Sequence, residues 1–159
     1  MLVATQTSSK IERLAKLYLE SESVQLSNST QQELCNWLMQ EFRQTPLNPQ
    51  FSDDLRYQNA AEMFADVEQG HLWVSAEEGY DNSIYPNPFY GFAFLVMHDY
   101  DHYVTQSDWS LEGEITAYKA AASRAPSLEI QKILYSQIVL RAAAYIKLGH
   151  APEAKTVFP

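Results

Sequence analysis

Residues 97–118, MHDYDHYVTQSDWSLEGEITAY, decide the fold that we predict for this chain. The apolar spacing that leads into this segment predicts a helix from near Phe89 to about Thr105. Asp108-Trp109-Ser110 then has the composition of a turn, and Ser110 can cap a further helix over about 110–124, which Pro126 ends. The segment therefore predicts two consecutive helices joined by a sharp reversal of the chain.

Two histidines of the first of these helices, His98 and His102, are four residues apart. On a helix this spacing corresponds to about 400° of turn and about 6 Å of rise, so both imidazoles share one face. Histidines placed in this way can bind one metal ion, each at about 2.0–2.1 Å. Asp99 lies one step round the helix and offers either a third ligand or a partner for a histidine N–H.

Glu114 can join the histidines only if the chain reverses between them. On a continuous helix its twelve-residue distance from His102 would amount to about 18 Å along the axis. With a new helix beginning after Ser110, Glu114 falls in the first turns and can face both histidines. Glu112 lies about 200° away on that helix and must point elsewhere. Gly113, which is costly inside a helix, is explained if a neighbouring helix or a ligand passes close to it.

The ligand types leave the metal and its chemistry open. Histidine and carboxylate suit zinc, magnesium, iron or manganese, and two histidines with one carboxylate also suit non-haem iron. The pair could instead be two surface or hydrogen-bonded histidines with no ion. A zinc-peptidase motif would need a longer side chain at Asp99, and the phosphohydrolases with a His-Asp pair need a later aspartate that is missing after Asp108.

The pattern His98-Asp99-x-x-His102, followed after eleven residues by Glu114, resembles the signature of the Coq4 family of ubiquinone biosynthesis. The resemblance covers about residues 90–120 and includes the glycine before Glu114. It implies a helical protein with one divalent metal ion held by His98, Asp99, His102 and Glu114. It also implies an apolar small molecule or prenyl lipid as the partner, with action on the head group of a prenylated quinone precursor, and contact with a membrane-bound biosynthetic complex.

Aromatic residues are dense around the motif. A pocket that they line would suit a ring or an isoprenoid chain, but at helical spacing they can equally be packing residues. Three functions follow: a metal-dependent enzyme of Coq4-like type, a non-catalytic helical module that binds a lipid or a protein, and a metal-dependent hydrolase. The aromatic residues are Phe89, Tyr90, Phe92, Phe94, Tyr100, Tyr103, Trp109 and Tyr118.

Before and after the motif, apolar residues recur with helical spacing through most of the chain. We predict an all-α fold, with about six helices in one domain over residues 1–159. Ser127 and Gly149 should bound the last and most apolar helix, 128–148. The predicted N-caps of the first three helices are Ser8 or Ser9, Thr30 in a capping box with Glu33, and Ser52.

Signals for extended structure are weak. Only His71–Ser75 and Lys155–Phe158 have the composition of strands, and residues 79–88 are typical of a long ordered loop. The two remaining histidines, His71 and His150, follow helix ends, and we expect structural roles for both. Cys35 is the single cysteine, so thiolate metal sites and internal disulfides are excluded.

The net charge of the chain limits the classes of molecule that it can bind. Eleven Lys and Arg against twenty Asp and Glu give a formal net charge of −9. Such a surface repels phosphate backbones and argues against a general nucleic-acid binder. The sequence lacks a signal peptide and an apolar run of the ~20 residues that span a membrane. We therefore expect a cytoplasmic protein, with contact to a membrane surface left open, and an exposed aromatic face would suit a homodimer.

Overall fold

A computed structural model of the chain describes residues 2–75 and 84–159. The described part is mostly helical, as predicted, but it also contains a small parallel sheet, so the all-α prediction is only partly right. The elements are α1 (Leu2–Glu20), α2 (Asn28–Gln44), β1 (Asn48–Ser52), α3 (Ala60–Val67), β2 (His71–Ser75), α4 (Pro88–Thr105), α5 (Leu111–Arg124) and α6 (residues 128–148).

The α4–α5 hairpin forms as the sequence predicted. Gln106 ends α4 in the left-handed conformation with φ 53°, and its backbone N–H reaches the last turn of the helix. Ser110 then caps α5, because its side-chain oxygen accepts a hydrogen bond from the Gly113 N–H at 3.1 Å. Asp108 holds the turn by accepting from the Ser110 N–H at 3.1 Å. The reversal therefore depends on polar side chains that are local in sequence.

Helix α6 runs through the core, and its predicted ends are confirmed. The Ser127 hydroxyl accepts from the Ile130 N–H at 3.3 Å, and Gly149 ends the helix at φ 77°. The sequence did not predict its middle, Tyr135–Leu140, which is a π-helical turn. Such turns add a residue to the helical repeat and rotate the side chains that follow.

Three predicted helix starts are wrong. Helix α1 already begins at Leu2, so Ser8 and Ser9 lie inside it. Ser27 rather than Thr30 caps α2, and its hydroxyl accepts from the Thr30 N–H at 3.2 Å.

Ser52 does not cap α3, because it is the last residue of β1. The cap is Asn59, whose side-chain oxygen accepts from the Glu62 N–H at 2.9 Å.

Strands β1 and β2 pair in parallel from Asn48 opposite His71 to Ser52 opposite Ser75, with α3 as the connection between them. The extended prediction for β2 is confirmed. Strand β1 was not predicted, because its Asn and Pro residues are depleted in strands. The sheet matters for the site, since β2 packs against α4.

The second predicted extended segment, 155–158, is not a strand. Side chains of α6 bind its backbone instead: the Val157 N–H donates to the Ser136 hydroxyl at 2.9 Å, and the Gln137 amide donates to the Lys155 carbonyl at 2.8 Å. These contacts satisfy polar groups that a partner strand would otherwise bind.

Residues 79–83, half of the predicted loop 79–88, lie outside the described residues. The loop ends at Asn87, one residue earlier than predicted, because Pro88 is the first residue of α4. The Asn87 side-chain oxygen caps the helix by accepting from the Phe89 N–H at 3.0 Å. In the described ranges, no helix is long and apolar enough to span a membrane.

Candidate metal centre

Three side chains from α4 and α5 converge on one point. Nε2 of His98 lies 2.9 Å from Oε2 of Glu114. Nε2 of His102 lies 3.1 Å from the same oxygen and 3.2 Å from Nε2 of His98. These atoms form a nearly equilateral triangle, and the group could hold a metal ion.

The triangle is largely withdrawn from water. His102 is fully buried, and the side chains of His98 and Glu114 are only 13% and 14% exposed. Asp99 was predicted with them, but its carboxylate is outside the set whose ligand atoms lie within 4.8 Å of one another. Asp99 instead lines the cavity beside the cluster. Its role as a ligand stays a prediction.

A contact at Nδ1, the ring nitrogen that does not face Glu114, fixes the orientation of His102. Its Nδ1 lies 3.0 Å from the Ser107 carbonyl oxygen and 3.2 Å from the Ser107 hydroxyl. Because the carbonyl oxygen can only accept, the shorter contact assigns a proton to Nδ1. In a neutral ring this leaves the Nε2 lone pair directed at His98 and Glu114. Histidines that bind metals usually donate their other N–H in this way to a carbonyl or carboxylate.

The hydrogen-bonding groups of His98 are less completely satisfied than those of His102. Its ring stacks on Phe94 at 5.9 Å with an interplanar angle of 8°. Its Nδ1 is buried and has no hydrogen-bond partner among the residues that the structure describes. Burying such a group costs free energy, so the ring must be held by its other contacts, which are Phe94 and the Nε2 cluster.

The cluster strongly perturbs two protonation equilibria. Burial lowers the pKa of the His98 imidazole, but the charge of Glu114 and the hydrogen bond to it outweigh burial and raise that pKa to about 9. Burial raises the pKa of the Glu114 carboxyl, yet the charge of His98 and hydrogen bonds within the cluster lower it to about 2. Without an ion, the cluster is therefore an imidazolium–carboxylate pair near neutral pH.

Gly113 explains how Glu114 comes so close to α4. A Cβ atom at Gly113 would overlap the backbone carbonyl oxygen of Asp108 and lie 2.6 Å from its Oδ1. The close neighbour of this glycine is therefore the preceding turn, and not the neighbouring helix or the ligand that the sequence suggested. Glu112 points away, as expected, with a 66% exposed side chain 3.6 Å from Lys10.

An ion-pair network on the other side of α4 fixes the helices against one another. Asp101 has a side chain that is only 6% exposed, and its Oδ2 accepts from Arg124 of α5 at 2.9 Å. The same guanidinium reaches Glu41 of α2 at 3.1 Å. Because the network ties α4, α5 and α2 together, it supports the geometry of the His98–His102–Glu114 cluster without belonging to it.

A cavity of about 630 Å³ opens beside the cluster. Its walls near His98 are apolar, with buried Phe94, Leu95 and Ile138. The cavity also contains polar and aromatic groups from β2, from α6 and from the segment between β1 and α3. Those that the sequence did not identify include Arg56, Tyr57, Trp73, Gln137, Arg141 and Tyr145.

Most of the aromatic residues around the motif are packing residues. Only Phe94 and Trp109 of the predicted set line the cavity. Phe89 contacts Phe42 at 5.3 Å between ring centroids. The others pack against or within the core, namely Tyr90, Phe92, Tyr100, Tyr103 and Tyr118.

The two histidines to which the sequence assigned structural roles belong neither to the cluster nor to the cavity lining. His71 is exposed and lies 3.7 Å from Asp66. His150 is exposed, and its Nδ1 lies 3.1 Å from the Ala151 carbonyl oxygen. Cys35 is buried, and burial raises its pKa, as expected for a packing residue.

Comparisons with protein-family models, with curated proteins and with solved structures found no significant match. The resemblance to the Coq4 family therefore rests on the motif residues, and the chemistry of this site has to be argued from its own geometry.

Proposed function

We propose that this protein binds one divalent metal ion through His98, His102 and Glu114, and that the ion faces a cavity for an apolar small molecule. The observation that supports this proposal is the triangle of ligand atoms with 2.9–3.2 Å sides. Atoms with this spacing fit one face of a coordination shell with bonds of about 2.0–2.2 Å. The fixed His102 tautomer and the carboxylate add the donor types that divalent ions prefer.

The resemblance to the Coq4 family extends the proposal to a fourth residue and a substrate class. Asp99 would complete the ligand set, and the ligand would be a prenylated quinone-type molecule or another compound with a ring or isoprenoid chain. The cavity of about 630 Å³ lies within the range of about 300–1,000 Å³ typical of small-molecule sites. Contact with a membrane surface or a biosynthetic complex belongs to the same proposal.

As an enzyme, the protein would use the ion to polarise a substrate carbonyl or hydroxyl or to activate a water molecule. The chain's own residues would exclude water and orient the ligand. Phe94 and Ile138 offer apolar contact near the cluster, and Glu114 supplies the negative charge that favours a cation there.

A second candidate is a non-catalytic module that binds a lipid or a protein. Exposed apolar side chains among the residues that line the cavity favour it, because a carrier needs an apolar opening rather than reacting groups. These are Leu55, Trp109, Tyr145 and Ile146, each at least 38% exposed. Turnover of a quinone-type substrate would distinguish the two functions, whereas metal binding alone would not.

Metal analysis tests the proposal. We expect about one ion per chain after purified protein is supplied with zinc, iron, manganese or magnesium. We expect His102→Ala and His98→Gln to weaken binding at least ~100-fold, because each removes a ligand. His150→Ala is the matched control, since it removes an exposed histidine elsewhere. A wild-type protein that binds none of these ions, or folded variants that bind them as tightly, would contradict the proposal.

A further inference from the structure

Arg56 is a positively charged residue of the cavity wall that the proposed metal site does not use. Its guanidinium lies 4.0 Å over the centre of the Trp73 ring. Its Nε donates a hydrogen bond to the Ser52 hydroxyl at 3.1 Å. Cation–π stacking and a hydrogen bond at Nε together restrain a side chain that is otherwise flexible.

Both contacts of Arg56 come from the two-stranded sheet. Ser52 ends β1, and Trp73 lies in the middle of β2. The parallel pairing places Ser52 opposite Ser75, two residues after Trp73, so the two contacts are held by one register. The sheet that the sequence failed to predict therefore provides a rigid support for the guanidinium at the cavity.

Arg56 has no direct ion-pair partner in the described part of the chain, although the carboxylates of Asp99 and Glu114 line the same cavity. No Asp or Glu carboxylate among residues 8–75 and 84–159 lies within ion-pair distance of Arg56. In a chain with a net charge of −9, a restrained arginine without a carboxylate partner is suited to an external anion. Arg141 lines the same cavity.

We infer that the ligand of this cavity is an amphipathic anion, and that Arg56 binds its carboxylate or phosphate group. The Nη groups of Arg56 remain for such a group, because the contact to Ser52 uses Nε. The apolar part would lie against Phe94 and Ile138. The inference rests on the ligand cavity of the proposed function, but it does not require the metal ion.

Binding of three eight-carbon probes tests this inference. Octanoate, octyl phosphate and octanol share an apolar chain and differ in the head group. Calorimetry with metal chelated should show one or both anions binding wild-type protein about tenfold more tightly than octanol. A larger preference for octyl phosphate would indicate a phosphate group, and a preference for octanoate would indicate a carboxylate.

Substitutions test whether Arg56 causes the preference for anions. We expect Arg56→Met to abolish the preference for anions while octanol binding stays unchanged. Arg56→Lys should retain part of it, because the charge remains but the planar fork is lost. Arg43→Met is the matched control, since it removes an exposed arginine that does not line the cavity. Equal binding of anion and alcohol, no binding of either anion, or a preference that survives in Arg56→Met would overturn the inference.

The failure of this inference and that of the metal proposal are distinguishable. The same titrations in the double variant His98→Gln/Glu114→Gln, which removes two metal ligands and both charges of their pair, should retain the preference for anions, since Arg56 is unchanged there. A preference that appears only with added metal, and that this double variant abolishes, would assign the anion to the ion and overturn the role of Arg56.

Discussion

Nε2 of His102 lies 3.1 Å from Oε2 of Glu114, although the two residues are twelve positions apart and belong to consecutive helices. On one continuous helix they would be about 18 Å apart along the axis. The contact therefore depends on the left-handed Gln106 and the cap at Ser110, which reverse the chain between them. A site made in this way should respond to changes in the turn as well as in the ligands.

Glu114→Gln should weaken metal binding without changing the shape of the site. The amide is nearly isosteric, but it lacks the charge that attracts a cation, so we expect a loss of about 10–100-fold in affinity. In the metal-free protein, the pKa of His98 should fall below its value of about 9, because Glu114 is the main group that raises it. Calorimetry and NMR titration measure the two effects.

Glu112→Gln is the control for that substitution, because this exposed carboxylate lies two residues away and outside the cluster. Unchanged metal affinity in Glu114→Gln, or an equal loss in Glu112→Gln, would argue against the ligand role of Glu114.

The stability of the metal-free protein should depend on pH through the same pair. The pKa of Glu114 is lowered from 4.5 to about 2, so its contribution is present above pH 4.5 and is lost as the pH falls towards 2. The pKa of His98 is raised from 6.5 to about 9, so its contribution is present below pH 6.5 and is lost as the pH rises through 9. Thermal unfolding with a chelator should show both losses, and Glu114→Gln should reduce them.

Between pH 6.5 and about 9, stabilisation by added metal should increase with pH, whereas the stability of the metal-free protein decreases. An ion that binds His98 must displace the proton from Nε2, so affinity should increase between pH 6.5 and about 9, where this proton is released. The gain in Tm on adding zinc should therefore grow over a range in which the metal-free protein loses stability. A gain that is independent of pH there would mean that the ion binds elsewhere.

Gly113→Ala should destabilise the protein, against the usual helix preference. Replacing glycine by alanine inside a helix normally stabilises by about 1 kcal/mol. Here the new Cβ would overlap the Asp108 carbonyl, and overpacking of this kind typically costs about 1–3 kcal/mol. Urea unfolding measures the sign, and metal affinity should fall with it because the clash shifts the turn before Glu114. A more stable variant would show that the turn is not packed as described.

Arg124→Met should also lower stability, because it leaves the buried Asp101 carboxylate without its partner. Breaking a fully buried pair costs about 3–5 kcal/mol, and since the Arg124 side chain is 37% exposed we expect about 2 kcal/mol. Asp101→Asn in the same chain should restore part of the loss. Strict additivity of the two substitutions in a double-mutant cycle would exclude coupling between these groups.

Local signals in the sequence were enough for the helices that carry the site. Ser110, Ser127 and Gly149 were assigned correctly because a cap or stop depends on neighbouring residues. Thr30 was misassigned as a cap because Ser27, three residues earlier, offers the same chemistry. Local signals could not rank two such candidates.

Features that depend on distant residues were not predictable. Strand β1 exists because β2 pairs with it across α3, and its own residues give little strand signal. The Ser107 carbonyl that orients His102 is a backbone group and has no signature in the sequence. Arg56 is held at the cavity by Ser52 of β1 and Trp73 of β2, so its position depends on a sheet that the sequence did not predict. The candidate ligands could be proposed from spacing, but the cavity that they face could not.

Anomalous diffraction from crystals grown with zinc tests the central claim most directly. The account predicts one strong peak within about 2.0–2.2 Å of Nε2 of His98, Nε2 of His102 and a carboxylate oxygen of Glu114. Bonding of Asp99 in the same shell would add the fourth ligand that the motif implies. No peak at the triangle, or zinc bound only at surface sites, would contradict the account.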